Sequence, residues 1–432
     1  MKPANGSERG ISPFLFAGWV EALRALLAES RPADQVLHHF FRENPSWGGR
    51  DRSLLTEHFY TLLRHWEVVT VLAPVTSARR LVLACLQRVM GRSARDLQAL
   101  CQSDDERQWL FALPAQRLPE EPAVQALLPN WLLDAVMPVL KEGEWLDLGR
   151  ALRTPAPLDL RVNTLKTDRD GLLKDLQSAG IELEPTPWSP WGLRVKGRPD
   201  LQRLRCFKEG HFEVQDEGSQ LLSALVGPRR RDMVVDFCAG AGGKSLHLGA
   251  LMQNQGRLYA FDVAAHRLDR LKPRLKRAGL SNLMPVVIAH ENDDRVRRLH
   301  GKIDRVLVDA PCSGTGTLRR NPDLRLRQDM QGLPSLLDKQ RGILEGAARL
   351  VKPGGRLVYA TCSLLPAENH DQARAFTERH PEFECLSAQA LLAASGVNCP
   401  LEGDVMQLWP QRHGTDGFFA AVWQRRVEAT EG

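Results

Sequence analysis

Two cysteines stand where covalent chemistry on a substrate would need them. Cys312 lies in Asp309-Ala310-Pro311-Cys312-Ser313-Gly314, and Cys362 in Ala360-Thr361-Cys362-Ser363. Each follows a short apolar run, Val306-Leu307-Val308 or Leu357-Val358-Tyr359, that predicts a β-strand. Both thiols are therefore expected at the C-terminal ends of strands, where open α/β sheets bind ligands. A Gly-rich strand-to-helix turn, Asp236-Phe237-Cys238-Ala239-Gly240-Ala241-Gly242-Gly243-Lys244-Ser245, lies upstream. Two thiols downstream of such a turn point to a nucleophile acting on a substrate held beside a cofactor. The eight cysteines include no CxxC pair and no Cys/His cluster at zinc spacing, so no metal is implied. Cys85, Cys101, Cys206, Cys238, Cys385 and Cys399 read as packed or incidental residues.

The loop itself admits three nucleotide readings. Gly243-Lys244-Ser245 is half a Walker motif, because the position that needs the first glycine is Cys238. A dinucleotide fingerprint starting at Gly240 would need Ser245 as its third small residue. Asp262, closing the next strand, follows the loop by roughly 20 residues, as ribose recognition requires. An S-adenosylmethionine site shares that layout but has no pyrophosphate to cradle. The loop alone leaves a nicotinamide dehydrogenase and a methyltransferase open. The cysteines separate them, because a hydride transfer has no use for thiols at two neighbouring strand ends. Methylation of a pyrimidine does. Carbon-5 of cytosine is a poor nucleophile, and a thiolate added to carbon-6 turns the ring into an enamine that attacks the methyl group. A second thiol nearby would help the adduct break down.

The elements that must position these residues follow from the pattern along the chain. Residues 13 to about 125 show helical spacing, as in Trp19, Val20, Leu23, Leu26 and Leu27, with no strand alternation. Pro114, Pro119, Pro122 and Pro129 punctuate the chain, and Leu158 to Asn163 then alternates like a strand. A helix over Leu172–Ala179 ending at Gly180 and a strand at Leu193-Arg194-Val195 complete a small α/β unit. From about residue 206 strands and helices alternate: Val234–Phe237, Leu258–Asp262, Val286–Ile288, Val306–Val308 and Leu357–Tyr359, with helices over Ala264–Ala278 and Leu336–Val351. The second helix is expected to stop at Lys352-Pro353-Gly354-Gly355. This rhythm predicts a mostly parallel, doubly wound sheet. Glu428 to Gly432 reads as a frayed tail.

The 432 residues exceed one typical core, so two or three domains are expected. A hydrophobic content of 43% with 25% charged residues fits an ordinary water-soluble protein. A net charge of +6 permits a polyanionic partner without requiring one. No apolar run is long enough to span a bilayer, and Met1 to Gly6 lacks the apolar stretch of a signal peptide. A cytoplasmic location, with reduced thiols, is expected.

Taken in order, Leu160-Arg161-Val162-Asn163-Thr164, Val214 to Gln220, the glycine loop, Asp309 to Gly314, Arg320-Asn321-Pro322-Asp323, Thr361-Cys362-Ser363 and His413 to Phe419 resemble the RsmB/Nop/NSUN family of RNA 5-methylcytosine methyltransferases. The resemblance covers about 129 to 423, and residues 13 to 125 resemble more loosely the NusB-like domain of bacterial members. It implies a Rossmann-like class I methyltransferase sheet over 206–428, a small α/β linking domain over 129–205, and an all-α RNA- or partner-binding domain over 1–128. It further implies Cys362 as the nucleophile, Cys312 as the residue that assists release, Asp309 as the group stabilising the protonated ring, and Lys244 as a positioning group. Cys238, Ala239, Gly240, Gly242, Gly243, Lys244, Asp262, Arg267, Asn292 and Asp309 would line the S-adenosylmethionine site. Arg161, Asn163, Gln215, Asp216 and Arg320 would support the site or contact RNA. Ribosomal RNA is the favoured substrate, transfer RNA the other, and a monomer is expected.

Two positions depart from the family pattern. Gly240-Ala241 replaces the usual Ala-Pro of the loop, and His290-Glu291-Asn292-Asp293-Asp294 stands where a Gly-Asp contacting adenine is usual. The altered loop keeps open the alternative of an RNA-binding assembly factor whose catalysis is dispensable. Arg229-Arg230-Arg231, Arg295-Val296-Arg297-Arg298 and Arg319-Arg320 are basic runs that would track phosphates or simply face solvent, with RNA favoured at Arg319-Arg320. Trp131, Trp188 and Trp191 would stack on bases or, as the simpler reading, pack in the core.

Overall fold

The structure is a computed structural model that describes residues 11–29, 31–328 and 330–427. Readings of Met1 to Gly6 and of Glu428 to Gly432 therefore lie outside the described residues. The described chain forms two units, one over residues to 154 together with the segment 318–329, the other over 155–317 and from 330 onward.

The first unit is helical throughout, as the spacing predicts. Its first helix, Pro13–Ala28, starts where the Ser12 side chain accepts the Leu15 amide and Pro13 occupies a position whose N–H has no helical partner. Trp19, Leu23, Leu55, Phe59, Leu62 and Leu63 are fully buried in its core, with Leu326 packed against them. The short segment that contributes Leu326 is also pinned by polar groups. The Arg325 guanidinium meets the Glu67 carboxylate at 2.5 Å, with 1% and 10% of the two side chains exposed, and Asp323 accepts the Ala33 amide at 3.2 Å. A stretch that lies within the strand–helix region in sequence thus belongs to the helical unit in space.

The second unit contains two sheets. A four-stranded antiparallel sheet has the order β2-β3-β1-β4, with β1 (Leu158–Val162), β2 (Leu183–Pro185), β3 (Gly192–Val195) and β4 (Phe212–Val214). The eight-stranded sheet is built from β5 (Met233–Asp236), β6 (Arg257–Asp262), β7 (Leu283–Val287), β8 (Ile303–Asp309), β9 (Val351–Thr361), β10 (Phe383–Leu386), β11 (Met406–Leu408) and β12 (Phe418–Arg425). Its order is β10-β12-β9-β8-β5-β6-β7, with β11 paired to β12. The run from β9 to β7 is parallel, whereas β10, β11 and β12 pair antiparallel. This is a Rossmann-like, doubly wound α/β fold. Its antiparallel edge is not apparent from the strand runs read in sequence, because Phe418–Trp423 is apolar on both faces and shows no alternation.

Alternate residues of the parallel strands enter two cores. Val234, Leu307, Val358 and Ala360 join one, and Val235, Val306, Val308, Leu357 and Tyr359 join the other. Helices cover both faces, which is why these strands read as short continuous apolar runs. The helix before β9 ends at Ala348, and β9 already begins at Val351. Lys352 to Gly355 is therefore a bulge within the strand and not merely a helix stop, since the register passes from Ile303↔Val351 to Arg305↔Arg356. Among the described residues, no helix is long and apolar enough to cross a membrane.

Candidate active site at the strand switch point

The chain leaves β5 in one direction through β6 and β7, and in the other through β8 and β9. A crevice outside the carboxyl ends of the strands is the general consequence of such a reversal. Every residue of the two cysteine motifs and of the glycine loop reaches that end of the sheet. In the ladder between β8 and β9, Asp309 lies opposite Ala360, and the Ala310 amide donates to the Ala360 carbonyl at 2.8 Å. The two chains then leave the ladder together. Cys312 and Cys362 follow within three residues, and their sulfurs come to 3.4 Å.

Lys244 enters from the first turn of the helix Gly243–Leu251. Its ammonium donates to Asp309 Oδ2 at 2.7 Å and lies 5.7 Å from the centre of the Phe418 ring. Burial opposes the charge on Lys244, but Asp309, and after it Cys362, more than offset this and hold its pKa above the ordinary lysine value. The Cys312 thiol is pushed well up, first by its hydrogen bond with Cys362, then by burial and by the nearby charges of Cys362 and Glu368. Cys312 is thus held protonated beside its neighbour, in a hydrogen bond where either sulfur can be the donor. Cys238 is also pushed well up, by burial first, and packs against the core under the loop. Asp236, at the end of β5, is 1% exposed and is pushed up to about 7 by burial, although Ser245 donates to its Oδ2 at 2.6 Å.

The glycine loop is held in shape by the residues that flank it. Gly240 and Gly242 have φ of +57° and +79°, a region that side chains other than glycine adopt at a cost. At Gly242 a Cβ would also lie 2.2 Å from a methyl of the buried Leu271. The Gly240 amide donates to Asp262 Oδ2 at 2.8 Å, and the Ala264 amide to Oδ1 at 2.7 Å. Ala239 donates through its amide to the Phe261 carbonyl at 2.8 Å. Each carboxylate oxygen of Asp262 keeps an unused lone pair, as ribose hydroxyls would need. The replacement of Ala-Pro by Gly240-Ala241 therefore coincides with a left-handed glycine whose N–H is tied to the same carboxylate. A nucleoside with vicinal hydroxyls fits this arrangement of an acidic strand end beside a half-buried glycine turn.

Of the other residues singled out in the sequence, Arg161 reaches the loop directly. Arg161 is 2% exposed, donates to Gln215 Oε1, and reaches the Gly243 carbonyl at 2.7 Å. Burial lowers its pKa to about 10. Asn163 donates to the carbonyls of Gly210 and Ala278 at 2.8 and 3.0 Å. Asp216 caps the helix Glu217–Val226 through the Gly218 amide and accepts the Asp416 amide at 3.2 Å. These four side chains are spent on intramolecular bonds. Arg267 is exposed in the first turn after Asp262. Asn292 is exposed, with its oxygen bonded to Arg349 and its nitrogen to Glu291. Arg320 is half-buried in the segment that belongs to the helical unit, and its neighbour Arg319 is 5% exposed. Trp188 donates to the His413 carbonyl at 3.0 Å, and it and Trp191 pack on the core.

Three contributors carried no sequence signal. Arg274 donates to the Ala241 carbonyl at 2.6 Å while paired with Glu213. Phe418 faces Lys244, although it lies inside a motif quoted for its order alone. Glu368, six residues beyond Cys362, is fully buried under both cysteine loops.

Comparison with known proteins agrees with this geometry. The profile of the 16S rRNA methyltransferase RsmB/F family matches residues 223–424, and that of the RsmF/B-like ferredoxin-like domain matches 128–202. A probable ribosomal RNA small subunit methyltransferase B from Synechocystis sp. is 34% identical over 69% of this chain and 66% of its own length. The ribosomal RNA small subunit methyltransferase B of Pseudomonas syringae pv. tomato is 34% identical over 70% of this chain and 67% of its own. The crystal structure of PH0851 superposes with a TM-score of 0.76 at 28% identity, covering 97% of this chain and 100% of that one. The matches thus span about two thirds of the curated relatives' length. The chain belongs to the RsmB/F methyltransferase family.

Proposed function

We propose that this protein transfers a methyl group from S-adenosylmethionine to carbon-5 of a cytosine in small-subunit ribosomal RNA, through a covalent bond between Cys362 and carbon-6. The observation that carries this reading is the pair of sulfurs 3.4 Å apart beside the Lys244–Asp309 ion pair. The names of the curated relatives support the choice of RNA.

The cofactor, when bound, supplies an electrophilic methyl group on a sulfonium. Gly240, Gly242 and Gly243 would let the backbone approach it, and Asp262 would accept its ribose hydroxyls. An accessible or flipped cytosine is required, since carbon-5 and carbon-6 are shielded in a stacked helix. The Cys362 thiolate adds to carbon-6, with the Lys244 cation at hand to stabilise it, and Asp309 hydrogen-bonds the ring as charge develops there. Carbon-5 takes the methyl group, the carbon-5 proton leaves, and the carbon-6–sulfur bond breaks to restore Cys362. Cys312 serves that last stage. Once Cys362 is bonded to carbon, Cys312, 3.4 Å from it, gives its own proton to water and as the thiolate takes the carbon-5 proton. The helical unit is read as the part that binds RNA or a partner.

Bisulfite sequencing of small-subunit RNA incubated with purified protein and S-adenosylmethionine tests the proposal. One protected cytosine, absent with Cys362→Ala, is expected. Full protection by Cys362→Ala would overturn the covalent mechanism, and absence of any protected cytosine with the wild type would overturn the substrate.

A further inference from the structure

We propose that Glu368 is a positioning residue that sets the spacing of the two cysteines; this rests on the cysteine chemistry proposed above. The β8–β9 ladder fixes the two chains only as far as the Ala310 amide and the Ala360 carbonyl. Beyond it the cysteine-bearing loops have no ladder to set their separation, and side chains replace it. Glu368 lies at 0% exposure between them. Its Oε1 accepts the Ser313 amide at 2.8 Å and the Gln340 amide nitrogen at 2.9 Å. Its Oε2 accepts the Ser313 hydroxyl at 2.5 Å and the Ser363 hydroxyl. All four lone-pair sites of the carboxylate are filled. Three of the four donors belong to Ser313 and Ser363, the residues directly after Cys312 and Cys362.

The remaining polar groups complete the clamp. Thr315, also fully buried, accepts the Leu364 amide at 2.8 Å and lies 3.2 Å from the Ser363 hydroxyl. The Gly316 amide donates to the Cys362 carbonyl at 2.9 Å. With both serine protons donated to Glu368, the Thr315 proton is the one left to reach the Ser313 or the Ser363 hydroxyl, at 3.3 and 3.2 Å. Gln340, also fully buried, ties Glu368 to the helix Leu333–Ala348 and donates to the Pro311 carbonyl at 3.0 Å, one residue before Cys312. The Tyr359 hydroxyl donates to the Glu368 carbonyl at 2.7 Å, fixing its backbone. A carboxylate is the side chain that fits here, because it offers acceptors in two directions and no proton to compete with four donors. Glu368 touches neither sulfur; it acts through Ser313 and Ser363.

The test compares Glu368→Ala, Glu368→Gln and Cys362→Ala in the methylation of small-subunit RNA, with cofactor affinity by calorimetry and covalent enzyme–RNA adduct on denaturing gels. Misplacement of a reacting group by about 1 Å costs on the order of 100-fold in rate. Glu368→Ala is expected to lower kcat by roughly that factor, with KM for RNA and Kd for S-adenosylmethionine within about twofold of wild type. Glutamine keeps one acceptor and offers a donor the hydroxyls can turn to meet, so Glu368→Gln should recover about tenfold of the loss. If Glu368→Ala does not fold, Ser313→Ala, which removes one hydroxyl from the clamp, takes its place beside Glu368→Gln. A kcat within about twofold of wild type would overturn the positioning role, as would a parallel fall of kcat, cofactor affinity and melting temperature without rescue by glutamine. Full activity in Cys362→Ala would instead overturn the cysteine chemistry beneath it, so the two failures are distinguishable.

Discussion

Gly242→Ala and Gly240→Ala should differ in effect although both residues have positive φ. At Gly240 a Cβ meets nothing within 4 Å, so alanine suffers only the left-handed backbone, about 1 kcal/mol. At Gly242 the same cost adds to a Cβ placed 2.2 Å from one methyl of Leu271 and 2.9 Å from the other. Leu271 is fully buried and cannot swing into solvent, so overpacking adds a further ~2 kcal/mol. Gly242→Ala is thus expected to cost about 3 kcal/mol. At about 2–4 °C per kcal/mol, Tm falls by roughly 2–4 °C for Gly240→Ala and 6–12 °C for Gly242→Ala. Because the strained turn carries the amide bonded to Asp262, the Kd for S-adenosylmethionine should rise by at least about tenfold in Gly242→Ala. Thermal melting and calorimetric titration read both effects. Leu271→Ala is costly alone, but together with Gly242→Ala the losses should fall short of their sum by about 1–3 kcal/mol. Equal melting of the two glycine variants, or strict additivity with Leu271→Ala, would refute the steric argument.

Three further outcomes follow from particular contacts. Cys312→Ser should accumulate a covalent enzyme–RNA adduct on denaturing gels during turnover, and a lane without such a species would remove Cys312 from the release step. Asp236 is held at about 7, so the native protein keeps a proton that the unfolded chain loses near pH 4. Its contribution is full at acid pH and declines as pH rises through 7, by at most about 4 kcal/mol. Asp236→Asn should therefore flatten the fall in Tm between pH 5 and pH 8, and an unchanged slope would contradict the assignment. Arg325→Ala leaves the buried Glu67 carboxylate without its cation and should destabilise the helical unit by about 3–5 kcal/mol. Hydrogen exchange in the helix Gly49–Arg64 should then quicken; unchanged protection would mean that the pair contributes little.

The sequence by itself determined the features that depend on neighbours along the chain. A strand followed by glycines, an acidic residue at the end of the next strand, and thiols after two further apolar runs are local patterns. Their placement at one end of the sheet follows because parallel strands all present their carboxyl ends on the same side. The all-helical character of residues 13 to 125 was equally local. Burial and distant partnership were not legible. Arg161 and Asn163 are polar residues whose types suit an RNA contact, and only packing shows Arg161 bonded to the glycine loop and Asn163 to the Gly210 and Ala278 carbonyls. The segment containing Arg320 follows Cys312 closely in sequence, yet the Arg325–Glu67 pair and Leu326 attach it to the helical unit. Glu368 follows Pro366 and Ala367 with no spacing that marks it. It acquires meaning when the β8–β9 ladder brings Ser313 and Ser363, 50 residues apart in the chain, close enough to share one carboxylate. Periodicity and turn chemistry are short-range and can be read along the chain; a buried hydrogen-bond network exists only once the strands have paired.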